Sequence, residues 1–375
     1  MSEQAHPSHG TRAPERRPLV SVVLPNCNHV RSLPEAISAL EGQDPPPDEI
    51  IVIDDCSSDE SVPLLRRIAQ VVPTLRLLTN PENLGVVASL NRGITAASGS
   101  YVYLGAADDW VFPGFFSRAV AALQAHPDLP FYCGESALYD AKSRRLIGIR
   151  PAARPTLTGG RVSSDAYVRL LRGSDNHILT GSSLFRRASL GRALDESLGS
   201  FADGFMTRKL ALDAGFYYEP RVVAAWVVDS ASVSRRTATD HDLAMRSLEL
   251  FPRRIASDPV FPDWYAECFE RRWRFTVARL ALGKTPADRD LFDAVARAQL
   301  PRLPAHIGVA PDRLGGAARF LMVTWLLWRL RPFTATGMLR MLISQLLQLD
   351  SRVSARHAWP KLAPSLAAAI SSRAT

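Results

Sequence analysis

The sequence has few cysteines, and their spacing excludes two kinds of framework. Its 375 residues contain no CxxC pair and no Cys/His ligand spacing among Cys27, Cys56, Cys133 and Cys268. Disulfides are rare in the reducing cytosol, so we expect reduced thiols in a cytoplasmic protein and no structural zinc site. Residues 1–17 are polar and lack the apolar segment of a secretory signal. We expect a disordered leader there.

Two nucleotide-binding signatures are also missing. No GxGxxG follows the first predicted strand, and no GxxxxGK[ST] occurs in the chain. These absences argue against a dinucleotide-binding enzyme and a P-loop enzyme. The net charge is +8, and nearly all cationic residues are Arg, which suits an anionic partner such as a nucleotide diphosphate, an anionic lipid surface or nucleic acid. Because no basic module with interleaved aromatic residues is present, we do not expect nucleic acid.

The most informative stretch is a short apolar run at residues 101–104, followed by small residues and two adjacent acids, Asp108 and Asp109. Its β-branched and aromatic residues predict a buried strand. In open α/β sheets, ligands bind outside the carboxyl ends of the strands. Adjacent carboxylates repel each other, so we predict a divalent cation, Mg2+ or Mn2+, that they share with a diphosphate. The alternative is a solvated Asp-Asp turn.

The N-terminal part of the chain alternates between strand and helix patterns. Strands are predicted at residues 19–24, 49–54, 75–79 and 101–104, each separated from the next by a predicted helix. This alternation predicts a parallel sheet with right-handed crossovers. The acids that end the second and fourth strands would then meet at one sheet edge. There Asp55 can accept hydrogen bonds from a base N–H, while a metal on Asp109 neutralises a diphosphate.

Five short motifs follow one another in order: VVLPNCN at residues 22–28, IIVIDDCSSD at 50–59, NLG at 83–85, ASGSY at 97–101 and ADDW at 107–110. Together they resemble the amino-terminal half of glycosyltransferase family 2. The resemblance is clear over residues 19–140 and weaker to residue 236. It implies the GT-A fold, an α/β architecture with a Rossmann-like, mostly parallel central sheet and flanking helices.

The resemblance also implies a domain organisation. We expect a GT-A domain at residues 18–236, with a nucleotide-binding half at 18–112 and an acceptor half at 113–236. Beyond the resemblance, the apolar patterns of the sequence itself predict a helical C-terminal region at 237–375.

The family also implies roles for individual residues. Those implied for nucleotide-sugar binding are Pro25, Cys27, Asp54, Asp55, Asn83, Gly85 and Asp108. Pro25, Cys27 and Asp55 would line the base pocket, whereas Asp108 would face the ribose or the sugar and Asp109 would bind the metal. Two departures from the family pattern stand out. Cys27 replaces a frequent Tyr, and Ala106 occupies the first Asp position of an Asp-x-Asp-Asp motif.

A further acid lies in the predicted acceptor half. The family usually carries Glu-Asp before a helix here, and its Asp is the general base; this chain has Ala202 and then Asp203, with Arg208 downstream. A single displacement needs one carboxylate on the face opposite the leaving diphosphate, and Asp203 can supply it. The structural alternative is that Asp203 caps a helix over residues 205–214, which is compatible with catalysis.

The family often follows the strand predicted at residues 221–228 with a His that reaches the diphosphate or the metal. Asp229 lies near that position, so it is a candidate third metal ligand; water is the alternative.

The C-terminal part contains two apolar segments. Residues 320–328 are intensely apolar and precede Arg329 and Arg331, and a helix predicted at 337–349 has an apolar face. Neither run approaches the ~20 apolar residues of a membrane-spanning helix. The apolar segments have Trp at one end and Arg along their flanks, a pattern typical of a helix that lies in the membrane interface or of a helical hairpin that docks on a partner. The alternative is a helical pair packed on the catalytic domain.

The sequence therefore predicts an inverting glycosyltransferase of polysaccharide or cell-envelope biosynthesis. It would transfer a sugar from a nucleotide-diphosphate sugar to a hydroxyl of a glycan, lipid-linked or protein-linked acceptor, in the cytoplasm or peripherally on the inner membrane face. The alternative is a non-catalytic nucleotide-sugar-binding or scaffold protein, favoured by the departures at Cys27, Ala106, Ala202 and Asp229. Retention of Asp108, Asp109 and Asp203 argues against it. A nucleotidyltransferase would need a Gly-rich basic loop that residues 25–28 do not supply.

Overall fold

A computed structural model describes residues 20–143, 145–174, 178–191, 194–228, 232–282, 290–292, 294–295 and 316–348, with the backbone alone over 316–321. The expected leader at residues 1–17 lies outside them.

The N-terminal part alternates strands and helices, as the sequence pattern predicts. Its elements are β1 (Val20–Asn26), α1 (Leu33–Glu41), β2 (Glu49–Asp54), α2 (Ser61–Val71), β3 (Leu75–Thr79), α3 (Val86–Ala96) and β4 (Tyr101–Leu104). β1 pairs in parallel with both β2 and β4, and β2 pairs in parallel with β3. The carboxyl ends of these four strands therefore lie at one edge of the sheet, where the acidic turns follow them.

The second part of the sheet is mixed. Its elements are β5 (Trp110–Val111), α4 (Phe115–Ala125), β6 (Phe131–Asp140), β7 (Leu146–Arg150), β8 (Gly160–Val162), α5 (Ser164–Gly173), a 3-10 turn (Thr180–Ser182), β9 (Ser183–Arg186), α6 (Arg187–Leu190), a second 3-10 turn (Glu196–Phe201), α7 (Ala202–Ala214) and β10 (Phe216–Val228). The strand order is β3-β2-β1-β4-β9-β6-β10-β5. β9 is antiparallel to β4 and β6, whereas β10 is parallel to β6.

Both faces of the sheet are covered, which explains the continuous apolar runs of its strands. Successive side chains of a strand point to opposite faces. Val22 and Val52 accordingly pack in one core cluster with α1 and α2, whereas Val23 and Ile53 pack in another with α3, α7 and α9.

Helices dominate the described part of the C-terminal region. They are α8 (Val233–Thr239), α9 (His241–Ala256), α10 (Tyr265–Leu280), α11 (Gly316–Leu330) and α12 (Ala335–Leu347). α9 packs on α10, α10 also contacts α11, and α12 contacts α5. No described helix is long and apolar enough to cross a bilayer.

One local expectation needs correction. α7 begins at Ala202, so Asp203 lies within its first turn and is not its N-cap.

The segment between β7 and β8 is held against the domain in its first half. There Ala153, Arg154 and Pro155 are buried, because the C-terminal helix α12 supplies hydrogen-bond donors and an acceptor for this backbone.

Candidate active site

The turns after β1 and β2 are joined by a buried amide–carboxylate pair. Asn26 is opposite Asp54 in the parallel register, and its Nδ2 donates to Asp54 Oδ2 at 2.6 Å. Asp54 also accepts from the Ser57 backbone N–H at 3.0 Å and from its hydroxyl at 2.6 Å. Asp54 thus holds the two turns together.

Asp55 organises the loop before α3. Its Oδ1 accepts from Asn80 Nδ2 at 2.7 Å and from the Leu84 N–H at 2.8 Å, and its Oδ2 accepts from the Gly85 N–H at 2.8 Å. Gly85 has φ of +89°, a conformation that favours glycine. The sequence predicted that Asp55 would accept from a base. Its described hydrogen bonds are instead made within the protein, and they leave one carboxylate lone pair for such a donor.

Cys27 and Asn83 complete this end of the site. Asn83 Nδ2 donates to Cys27 Sγ at 3.4 Å, which links the turn after β1 to the loop after β3. Burial, and then the negative charges of Asp55 and Asp54, raise the pKa of the Cys27 thiol, so it stays neutral. Pro25 lies within β1, opposite Ile53. The fold therefore brings together six of the seven residues that the resemblance assigns to nucleotide-sugar binding; the seventh is Asp108.

Asp109 lies where the two parts of the sheet meet. It is half-buried, and its Oδ1 accepts from the Val227 N–H near the end of β10 at 3.0 Å. Burial of its carboxyl group, and then the charge of Asp108, raise the pKa of Asp109 well above its ordinary value. Asp108, the preceding residue, is also half-buried. An uncompensated negative charge here is therefore unfavourable.

Asp108 and Asp109 suit a hard divalent cation. They supply carboxylate oxygens, the ligands that Mg2+ and Mn2+ prefer, and a cation would relieve the repulsion that raises the Asp109 pKa. Within the described ranges, no group of three or more His, Cys, Asp or Glu side chains is arranged to hold a metal. Asp229, the predicted third ligand, lies outside the described residues. The pair alone would leave coordination positions for a diphosphate and water.

A 3-10 turn at Thr180–Ser182 joins the two acidic parts of the site. A Cβ atom added at Gly181 would lie 3.7 Å from Asp109 Oδ2, so this turn borders the cation-binding pair. From the neighbouring position, Thr180 Oγ1 donates to Asp203 Oδ2 at 3.4 Å. Asp109 and Asp203, separated by 94 positions in the chain, therefore both lie next to one short turn.

The position of Asp203 is fixed by α7. Its Oδ1 accepts from the Gly204 N–H at 2.6 Å. One turn further, the fully buried Arg208 donates to the Gly204 carbonyl at 2.8 Å and to the Tyr265 hydroxyl at 2.9 Å. Arg208 thus anchors the start of α7 to α10, which fixes the position of the helical turn that carries Asp203.

Three members of this arrangement, Tyr103, Thr180 and Gly181, were not predicted as site residues. The Tyr103 hydroxyl donates to the Gly181 carbonyl at 3.0 Å, and its pKa is raised by burial and then by Asp109. A sequence signal existed, because residues 180–187 resemble the strand that opens the acceptor half in the family. That signal does not reveal that the turn approaches Asp109.

Comparison with known proteins agrees with this geometry. Residues 21–192 match the family described as glycosyl transferase family 2. The chain resembles this family over those residues. An uncharacterized glycosyltransferase of Haemophilus influenzae is 34% identical over 110 residues, which cover 29% of this chain and 34% of that protein. The chain's match thus spans about a third of that relative's length.

Two longer matches extend the comparison. The succinoglycan biosynthesis protein ExoO of Rhizobium meliloti is 27% identical over 252 residues, 65% of this chain and 71% of that protein. The structure of S. aureus TarS 1-349 in complex with UDP-GlcNAc aligns with a TM-score of 0.56 over 92% of each chain, at 14% identity. This likeness confirms the expected α/β GT-A fold, and the relatives' names support a glycosyltransferase.

Proposed function

We propose that this protein is an inverting glycosyltransferase that uses a nucleotide-diphosphate sugar donor. The single observation that carries the proposal is the turn at Thr180–Ser182, which borders Asp109 at Gly181 and hydrogen-bonds Asp203 through Thr180. A carboxylate pair for the donor diphosphate and a separate carboxylate for the acceptor are what a direct displacement requires.

Different residues would bind the nucleotide base, hold the cation and accept the proton. The base would lie against Cys27 and Asn83, with Asp55 holding the loop that faces it. Asp108 and Asp109 would hold a divalent cation, which when bound supplies charge neutralisation to the leaving diphosphate. Asp203 would accept the proton of the acceptor hydroxyl. The hydroxyl oxygen then forms a bond to the anomeric carbon while the bond from that carbon to the diphosphate oxygen breaks, which inverts the configuration.

The names of two similar proteins indicate which donor and acceptor to test first. TarS is described in complex with UDP-GlcNAc, which makes UDP-GlcNAc the first donor to test. ExoO is named for succinoglycan biosynthesis, and this name supports a glycan acceptor in polysaccharide synthesis.

The test measures nucleoside diphosphate release from UDP-, GDP- and dTDP-sugars with Mn2+, using water as a poor acceptor and an added glycan mixture as a better one. We expect Asp203→Asn to lower release by about 10²- to 10⁴-fold while donor binding is kept. Asp213→Asn is the matched control, since Asp213 is an exposed acid on the same helix, and it should leave release unchanged. Product NMR should show an inverted anomeric configuration.

Donor binding by the wild-type protein with no release from any donor would instead favour the non-catalytic alternative. Full activity of Asp203→Asn would remove the proposed general base.

A further inference from the structure

Helix α12 turns its small and polar side toward the domain. Gly337, Ser344 and Gln348 are buried, the last just beyond the helix end. A Cβ atom at Gly337 would lie 1.9 Å from the Gly173 carbonyl oxygen, so the backbone of α12 lies directly against the end of α5. Close backbone approach requires glycine here.

Hydrogen bonds fix the rotation of α12 about its own axis. Ser344 Oγ accepts from the Arg154 N–H at 2.9 Å, and Gln348 Nε2 donates to Glu135 Oε1 at 2.9 Å. Arg340 donates to the carbonyl oxygens of Arg154 and Pro155 at 3.1 and 2.6 Å. A rotation of the helix about its axis would break these buried bonds, and an unsatisfied buried polar group is costly. The opposite side of α12 is therefore held facing away from the domain.

That opposite side is apolar. Six residues are between 42% and 59% exposed, Met338, Leu339, Leu342, Ile343, Leu346 and Leu347. Their spacing repeats every three to four residues, which is one face of a helix. We call these six residues the α12 apolar face. A contiguous exposed apolar face of this kind marks an interaction site.

The chemistry around this face is cationic. Residues 313–349 contain no Asp or Glu, whereas five Arg are spread through them. Arg329 in the last turn of α11 and Arg331 in the link between α11 and α12 are exposed, and Trp328 beside Arg329 is 67% exposed. Exposed Leu, Trp and Arg together are typical of helices that lie in the interface of an anionic membrane.

We propose that the α12 apolar face docks the protein on an anionic lipid bilayer, with Arg329 and Arg331 contacting lipid headgroups. The helix would lie in the plane of the interface, since neither α11 nor α12 is long enough to span it. Self-association through this face fits less well. A two-fold contact brings the same surface of two copies together, and this segment offers Arg but no acid to pair with it.

Docking would hold the catalytic domain at the membrane surface through α12 itself. Its buried bonds reach Glu135 on β6 and Arg154 after β7, so the helix and the acceptor half would move as one body. A surface-held domain fits a lipid-linked acceptor. The docking surface does not include the residues proposed for donor binding, so the two proposals can fail separately.

The test is sedimentation of the full chain with sucrose-loaded vesicles of phosphatidylcholine alone or with about one-third phosphatidylglycerol. The variants are Leu342→Glu, Leu346→Glu and Arg329→Gln. Gln345→Glu is the matched control because it adds the same charge at an exposed polar position of the same helix. Thermal melting and nucleotide binding report whether each variant is folded.

We expect the wild-type protein to bind the anionic vesicles and to be released by high salt. Leu342→Glu and Leu346→Glu should each weaken binding by about tenfold or more, Arg329→Gln by about fivefold, and Gln345→Glu by less than either Leu variant. Light scattering measures the oligomeric state in parallel. Absence of vesicle binding by the wild-type protein, or a dimer that Leu342→Glu converts to a monomer, would overturn the proposal.

Discussion

A buried ion pair joins β6 to the segment after β7, next to the C-terminal helix α12, and it provides the sharpest stability prediction. Glu135 is fully buried on β6, and its Oε1 and Oε2 accept from Arg154 Nε and Nη2 at 2.7 and 3.2 Å. Glu135 Oε1 also accepts from the Tyr218 hydroxyl at 3.0 Å and from Gln348 Nε2 at 2.9 Å. The perturbation is Glu135→Gln, which keeps the shape and removes the charge.

The expected loss of stability follows from the charged Arg154 guanidinium, which remains buried in the variant. Arg154 has a side chain that is only 8% exposed, and a guanidinium cannot lose its proton at any pH used here. Removing one partner of a buried pair costs about 3–5 kcal/mol. We expect the lower end, about 3 kcal/mol, because the Gln carbonyl still accepts hydrogen bonds. For a chain of this size the loss lowers Tm by about 4 °C.

The assay is urea and thermal unfolding of Glu135→Gln and of the double variant Glu135→Gln/Arg154→Met. The double variant should regain most of the lost stability, because no unpaired charge stays buried. The matched control is Glu267→Gln, which breaks an exposed ion pair with Arg271 and should change stability by less than about 0.5 kcal/mol. A loss under about 1 kcal/mol for Glu135→Gln, or a double variant no more stable than the single one, would refute the reasoning.

Three predictions concern the candidate active site. The pKa of Asp109 is raised above its ordinary value of 3.8 by burial and by Asp108, so its carboxylate opposes folding increasingly as pH rises from 3.8 toward the raised value. In metal-free buffer, Asp109→Asn should therefore have a higher Tm than the wild-type protein at pH 7, and the difference in Tm should be smaller at pH 4. Mn2+ should raise the Tm of the wild-type protein but not that of Asp109→Asn. Equal Tm values of the two proteins at both pH values would contradict this. Gly181→Ala adds a methyl group at ordinary contact distance from Asp109 Oδ2. The free energy of unfolding should therefore change by less than about 0.5 kcal/mol, while calorimetry should show weaker metal-dependent nucleotide binding. Unchanged binding would mean that this turn is not part of the site. Cys27→Tyr should tighten nucleotide binding by about three- to tenfold through stacking on the base relative to Cys27→Ala, and equal affinities would mean that the base lies elsewhere.

Much of the first half of the domain could be predicted from the sequence because its information is local. The apolar segments that alternate with helix patterns predicted the observed bounds of β2 and β3. Parallel pairing of the strands is enough to bring Asp54–Asp55 to the same sheet edge as Asp108–Asp109. The contact of Asn83 with Cys27 follows from the same topology.

The remaining features depend on contacts between distant segments. Nothing in the residues around Asp109 indicates that it accepts from the Val227 N–H, which lies 118 positions away. The start of α7 was misjudged because Asp203 is of a residue type preferred at the N-cap but lies within the first turn, and the residue that anchors this turn, Tyr265, lies on α10. The periodicity of α12 indicated an apolar face but not that this face points outward, since the buried partners of Ser344 and Gln348 lie on β6 and in the segment after β7.

The central claim is that Asp109 serves donor binding and Asp203 serves the acceptor. The most direct test is calorimetric titration of the wild-type protein, Asp109→Ala and Asp203→Ala with UDP, GDP and dTDP, with and without Mn2+. The account predicts metal-dependent binding of one nucleotide that Asp109→Ala loses and Asp203→Ala keeps. Binding that needs no metal, or that both variants keep alike, would contradict it.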